Sequence, residues 1–148
     1  MVTYKIEGNI GIVEFNDADS SANVLSYKNL DLLGRIVKEI ALNSKYIKAL
    51  FFISAKEDMF IAGADIKELM EVRSKKDALE LCKKGQDLFN EIERLVVPSF
   101  AIINGACVGG GLELALSCTH IIAIKNKKVK IGLPEVRLGI VPGFGGGT

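Results

Sequence analysis

Two glutamates sit in surroundings that ordinarily exclude charge. Glu113 is flanked by Leu112, Leu114, Ala115 and Leu116, and Glu135 follows Gly132-Leu133-Pro134. A carboxylate in such a setting is expected to be substantially buried, which is costly without a partner and raises its pKa. Taken alone, Glu113 has an ordinary explanation, because a negative charge in the first turn of a helix favours the helix dipole. Two such glutamates on different elements suggest an acid/base pair that can hold and move protons.

Just ahead of Glu113, Gly109-Gly110-Gly111 lies between an apolar run and a helical pattern. Amide N–H groups at a helix start can face a developing negative charge, and glycine lets a ligand approach the backbone. In isolation the triplet reads first as a crowded turn where strand meets helix. Ala62-Gly63-Ala64-Asp65 joins a buried strand to a capped helix, so its N–H groups can also face a pocket, with Asp65 a cap rather than a catalyst. Cys82, Cys107 and Cys118 read as small core residues, of which Cys107 could lie near the pocket, and His120 reads as structural. Lys125-Asn126-Lys127-Lys128 is expected to be an exposed hairpin turn, not a nucleic-acid contact. Gly143 to Gly147 has the glycine content of a phosphate-binding loop, but neither a Lys-Ser/Thr pair nor a helix follows it.

The elements that would carry these residues alternate in period. Residues 2–7 and 10–15 are period-two runs joined by Gly8-Asn9, which predicts a β-hairpin. Leu30, Leu33, Val37 and Ile40 recur at helical spacing within 26–43, and Leu81, Leu88, Ile92 and Leu95 do so within 74–95, ahead of the stop at Pro98. Asp65 and Glu68 have the spacing of a capping box for a short helix between these two. Buried strands are expected at 47–53 and 99–104, a turn at 105–109, a helix at 110–117 and another strand at 120–124. The order is strand, strand, helix, repeated: an α/β domain. The apolar stretch from Val96 to Ile124 could suggest a membrane span, but Pro98, Asn104, several glycines and Glu113 interrupt it.

Composition narrows the class further. The chain has 148 residues, 49% hydrophobic and 25% charged, which is globular usage and enough for one core. Nineteen basic against eighteen acidic residues leave a formal net charge of +1, so no single-sign field points to nucleic acid or a membrane surface. An odd count of cysteines without C-x-x-C spacing and a single histidine speak against disulfides and a metal site. The amino terminus alternates from Val2 with no apolar signal core, and a reducing cytoplasm is the expected location. The closing glycine-rich run completes no element, and the chain reads as cut rather than finished.

Three ordered motifs carry a resemblance: residues 60–67 (Phe-Ile-Ala-Gly-Ala-Asp-Ile-Lys), residues 104–115 around Gly110 and Glu113, and Gly132-Leu133-Pro134-Glu135-Val136 through Pro142-Gly143. Together they resemble the enoyl-CoA hydratase, or crotonase, family, with wording in the third motif that leans towards the hydratase part of multifunctional fatty-acid oxidation enzymes. The resemblance implies a spiral of β-β-α units, of which residues 1–148 would form the amino-terminal catalytic core, cut before carboxy-terminal helices that close the acyl pocket and pack subunits into trimers or hexamers. It implies backbone N–H groups of Ala64 and Gly110 as an oxyanion hole, Glu113 and Glu135 holding one water, and Gly143 positioning it. Ala62, Asp65, Ile66 and Lys67 would lie along the CoA. The substrate would be an acyl-CoA thioester, with no metal or redox cofactor and no membrane or nucleic-acid partner. Gly145-Gly146-Gly147-Thr148 departs from the family's usual Gly-Gly-Thr by one glycine. A sister Δ3-Δ2 isomerase, which can manage with one glutamate, is the alternative within the family. A non-catalytic CoA-binding or RNA-binding homologue is the alternative outside catalysis.

Overall fold

The computed structural model describes residues 1–146; Gly147 and Thr148, the end of the loop read above, lie outside the described residues. Strands β1 (Val2–Glu7) and β2 (Ile10–Phe15) pair antiparallel across Gly8-Asn9, where Gly8 takes φ +63°. Helix α1 (Tyr27–Leu42) starts at Ser26, whose hydroxyl accepts from the Asn29 N–H, and buries Leu30, Leu33, Ile36, Val37 and Ile40. Strands β3 (Ala49–Ser54) and β4 (Asp58–Ile61) then lead to α2 (Ile66–Glu71) and α3 (Lys75–Glu93). Next come β5 (Ser99–Ile103), β6 (Gly105–Val108) and α4 (Gly110–Leu116). The last described turn of the pattern is β7 (His120–Ala123), β8 (Lys130–Gly132) and a 3-10 turn over Glu135–Leu138.

Successive units place their strands in two different sheets. One sheet runs β1-β2-β3-β5-β7 and the other β4-β6-β8, so the opening hairpin gives both strands to the first sheet, while each later pair, β3/β4, β5/β6 and β7/β8, contributes one strand to each sheet and the chain advances as a spiral. Within the second sheet, β4, β6 and β8 are mutually parallel. The segments that leave their carboxy-terminal ends therefore emerge at one edge. Those segments are 62–65, 109–113 and 133–135, which carry the three motifs of the sequence. Topology thus gathers residues far apart in the chain before any side-chain contact is considered.

Several expectations need correction. Residues 105–108 form strand β6 rather than a turn. Its first residue must be glycine, since a Cβ on Gly105 would lie 1.7 Å from the Asp58 carbonyl carbon on the neighbouring β4. Residues 125–128 do turn, but not as a hairpin: β7 pairs with β5 and β8 with β6, so the flanking strands belong to different sheets. Glu68 forms no capping box. Its carboxylate accepts from the Tyr27 N–H at 2.7 Å and ties α2 to the start of α1, while Asp65 caps α2 through Lys67 N–H. Helix α3 ends at Glu93 with Arg94 as its cap, ahead of Pro98, and its amino-terminal capping box is Ser74 with Asp77. The apolar stretch 96–124 divides into β5, β6, α4 and β7, and no helix among the described residues is long and apolar enough to cross a membrane.

Candidate active site

The edge where β4, β6 and β8 end opens into a cavity of about 690 Å³. Ala62, Ala64, Gly110, Glu113, Glu135 and Gly143 all line it. Ile66 also reaches the lining, but Asp65 and Lys67 do not; Lys67 is exposed and Asp65 is engaged as the α2 cap. The apolar wall comes from α2 and α3, chiefly Leu69, Val72, Ala78, Leu81 and Cys82. It is Cys82, not Cys107, that borders the cavity; Cys107 lies fully buried in β6, where burial pushes its thiol up to about 12. His120 stacks on Phe100 at the far sheet edge.

Two backbone donors belong to residues that line this edge. Neither the Ala64 N–H nor the Gly110 N–H donates to any acceptor among the described residues. Gly110 opens α4, and the first N–H groups of a helix have no intrahelical partner. The loops bearing the two donors are in contact, for a Cβ on Gly63 would lie 3.5 Å from the Gly110 nitrogen. Gly109 adopts φ +55°, a conformation glycine takes without strain, and this turns the chain out of β6 into α4.

The glutamates are held differently. Glu113 is 4% exposed, and its Oε1 accepts from the N–H of Phe144 at 2.8 Å and of Gly146 at 2.9 Å. Burial raises its carboxyl above the ordinary 4.5; the amides of Gly146, Phe144 and Gly145 work against that rise, and the charge of Glu135 adds to it. Glu135 is 9% exposed, its Oε1 lies 3.0 Å from where a Cβ on Gly109 would be, and its buried Oε2 has no hydrogen-bond partner among the described residues. A buried carboxylate oxygen without a donor is a position that a ligand or water would satisfy. Gly143, assigned the water-positioning role from the resemblance, lines the cavity; its carbonyl accepts from Gln86, and its N–H has no acceptor among the described residues.

Phe144 and Gly146, which hold Glu113, were not singled out from the sequence. The visible signal was an aromatic residue inside a glycine run, which has no reason to be there unless its ring is anchored elsewhere. Asn23, a 3% exposed amide in a loop, likewise carries no local sequence signal of its partners. Among the described residues no group of acidic, histidine or cysteine side chains could hold a metal ion.

The comparisons with known proteins agree on one family. The profile of the enoyl-CoA hydratase/isomerase family matches residues 5–148. Among solved structures, DspI of Pseudomonas aeruginosa is 28% identical with a TM-score of 0.88, over 99% of this chain and 58% of its own. An enoyl-CoA hydratase from Bacillus anthracis is 29% identical with a TM-score of 0.86, over 98% of this chain and 55% of its own. A protein of Magnetospirillum magneticum described as an enoyl-CoA hydratase/carnithine racemase is 28% identical with a TM-score of 0.86, over 95% of this chain and 51% of its own. The chain thus spans a little over half the length of the structures it matches.

Proposed function

This chain belongs to the enoyl-CoA hydratase/isomerase family, and on that premise we propose that it adds water syn across the 2,3 double bond of an enoyl-CoA thioester. One observation carries the reading: two residues whose backbone N–H groups have no acceptor among the described residues and two buried glutamates line a single cavity at the ends of three parallel strands.

Attack of water at C3 drives electron density onto the thioester oxygen. Donors preorganised at that oxygen, here the N–H groups of Ala64 and Gly110, are each typically worth on the order of 100- to 1000-fold in rate. Glu113, whose Oε1 is fixed by two amides, is oriented to take a proton from water. Glu135, whose Oε2 has no partner among the described residues, is the group assigned to give a proton to C2. The hydroxyl ends on C3 and the donated proton on C2, and a proton then returns from Glu113 to Glu135 to reset the pair. Carboxyls and amides supply every step, so the chemistry requires no metal or redox group. The Gly143 N–H has the role of a further donor to the water, and Ala62 and Ile66 that of a wall for the CoA side of the substrate. In the whole protein we place this site within a trimer or a dimer of trimers.

The test is loss of the enoyl-thioester absorbance of crotonyl-CoA on addition of the full-length protein, with the 3-hydroxyacyl-CoA product identified. Conversion of a 3-enoyl-CoA to its 2-enoyl isomer, with no hydration, would instead assign the isomerase reaction.

A further inference from the structure

The loop between β2 and α1 contains a buried amide whose contacts lead, step by step, to both backbone donors. Asn23 Nδ2 donates to the Phe15 carbonyl at 3.1 Å, the Ser54 hydroxyl at 2.9 Å and the Phe60 carbonyl at 3.0 Å. These acceptors lie on β2, β3 and β4, so one side chain joins three strands that span both sheets. Its Oδ1 accepts from the Asp17 N–H at 3.0 Å, which leaves no polar atom of the amide unused. From this anchor the backbone runs beside the 62–64 segment as a short added strand. The Asn23 carbonyl accepts from the Ala62 N–H at 2.9 Å, the Leu25 N–H donates to the Gly63 carbonyl at 2.8 Å, and Leu25 bridges Ala64 in parallel register. Leu25 is 1% exposed, and its Cδ1 lies 3.2 Å from where a Cβ on Gly110 would be. The same three residues therefore hold the Ala64 strand by hydrogen bonds and the Gly110 turn by packing.

We propose that Asn23 is a positioning residue for the two backbone donors: anchored to β2, β3 and β4, it fixes segment 23–25, and that segment sets the separation of the Ala64 and Gly110 N–H groups. The inference rests on the oxyanion reading of those groups. A donor pair gains its catalytic value from being preorganised at the oxyanion position, and displacements well under an ångström weaken it. Loss of the anchor should reach the carbonyl oxygen while leaving the CoA portion of the ligand bound.

The experiment uses butyryl-CoA labelled with carbon-13 at the thioester carbonyl, a saturated ligand that cannot be hydrated. In the wild-type protein the isotope-edited infrared carbonyl stretch should fall on binding. In Asn23→Ala the fall should shrink, and kcat for crotonyl-CoA should drop about 10- to 100-fold with KM changed by less than about threefold. Because Asn23→Ala removes buried bonds and could impair folding, Leu25→Val provides a milder second case. It keeps the backbone and amide hydrogen bonds and withdraws the δ-carbons, including the Cδ1 that packs beside Gly110, and it should shift the stretch in the same direction by less. An Asn23→Ala or Leu25→Val protein that is folded and polarises the carbonyl as fully as wild type overturns the inference. A purely structural role would lower the folded fraction without changing the stretch of the ligand that is bound. If wild type itself leaves the stretch unmoved, the oxyanion reading fails first and takes this inference with it.

Discussion

Gly85 and Phe144 meet with no room for a methyl group: a Cβ on Gly85 would lie 2.2 Å from Phe144 Cδ1. The Phe144 ring also makes an edge contact with Phe89 at 5.7 Å, so α3 seats the ring while the N–H of the same residue holds Glu113. The α3 face that carries Gly85 and Phe89 therefore helps hold the residue whose amide bonds the Glu113 carboxylate.

Gly85→Ala should lower both stability and kcat. Alanine favours a helix over glycine by about 1 kcal/mol, but overpacking of a filled core costs about 1–3 kcal/mol, and at 2.2 Å the ring must leave its seat. Once it moves, Glu113 loses an amide donor. Gly34 on α1 is the control, because its nearest neighbour to an added Cβ is Leu88 Cδ1 at 3.8 Å, an ordinary contact. Gly34→Ala should raise stability by about 0.5–1 kcal/mol with unchanged turnover. Thermal melts and crotonyl-CoA kinetics on the two variants would separate packing from helix propensity, and equal behaviour of the pair would refute the seating of Phe144.

Replacing either glutamate by glutamine retains shape and removes proton transfer. Glu113→Gln and Glu135→Gln should each lower kcat by roughly 100- to 10,000-fold. The double variant should lose less than the product of the two, because both groups act on one water. Near-normal hydration by either single variant would exclude the paired mechanism.

How far this site could be read in advance depended on whether a residue's partners were near it in the chain. Glu113 and Glu135 announced themselves through their apolar neighbours, because that signal is local, whereas the Asp65/Glu68 spacing misled, since Glu68 is taken by the distant Tyr27 N–H. Strands β4 and β8 are four and three residues long, too short for an alternation to register. Strand β6 was concealed by Gly105, whose requirement is the passage of β4 beside it. Phe144 binds Glu113 across 31 residues and Asn23 binds Phe60 across 37, so nothing in their own surroundings marked them.

The raised carboxyl of Glu113 makes a pH prediction with a definite sign. Burial, the largest cause, moves it above 4.5 in the folded protein. A group that binds its proton more tightly when folded contributes stability that is full below its unfolded pKa and is lost as pH rises through the folded value. Glu113→Gln, which keeps an acceptor for the Phe144 and Gly146 amides, removes that loss. Its melting temperature minus that of wild type should therefore increase as pH is raised from about 4 towards 7. A constant difference, or one that shrinks, would contradict the assignment. The acidic limb of kcat/KM should likewise be displaced upward from the ordinary carboxyl value, in the direction set by the burial of Glu113.

The sharpest test of the backbone donors compares two substitutions at Gly110. It is the first residue of α4, a position where proline's fixed φ is compatible with a helix and its missing N–H breaks no intrahelical bond. Proline thus deletes the donor. Alanine keeps the donor and adds only a Cβ, which would stand 3.1 Å from Phe144 and 3.2 Å from Leu25, tight contacts that small shifts can relieve. Both variants carry the added Cβ, and proline differs from alanine in its ring carbons and its missing N–H. Because that donor counts mainly in the transition state, kcat of Gly110→Pro should fall on the order of 100-fold below that of Gly110→Ala. Affinity for butyryl-CoA should be close in the two. Circular dichroism verifies that α4 survives in each. If Ala and Pro lose turnover equally, the loss is steric and the Gly110 N–H holds no developing charge.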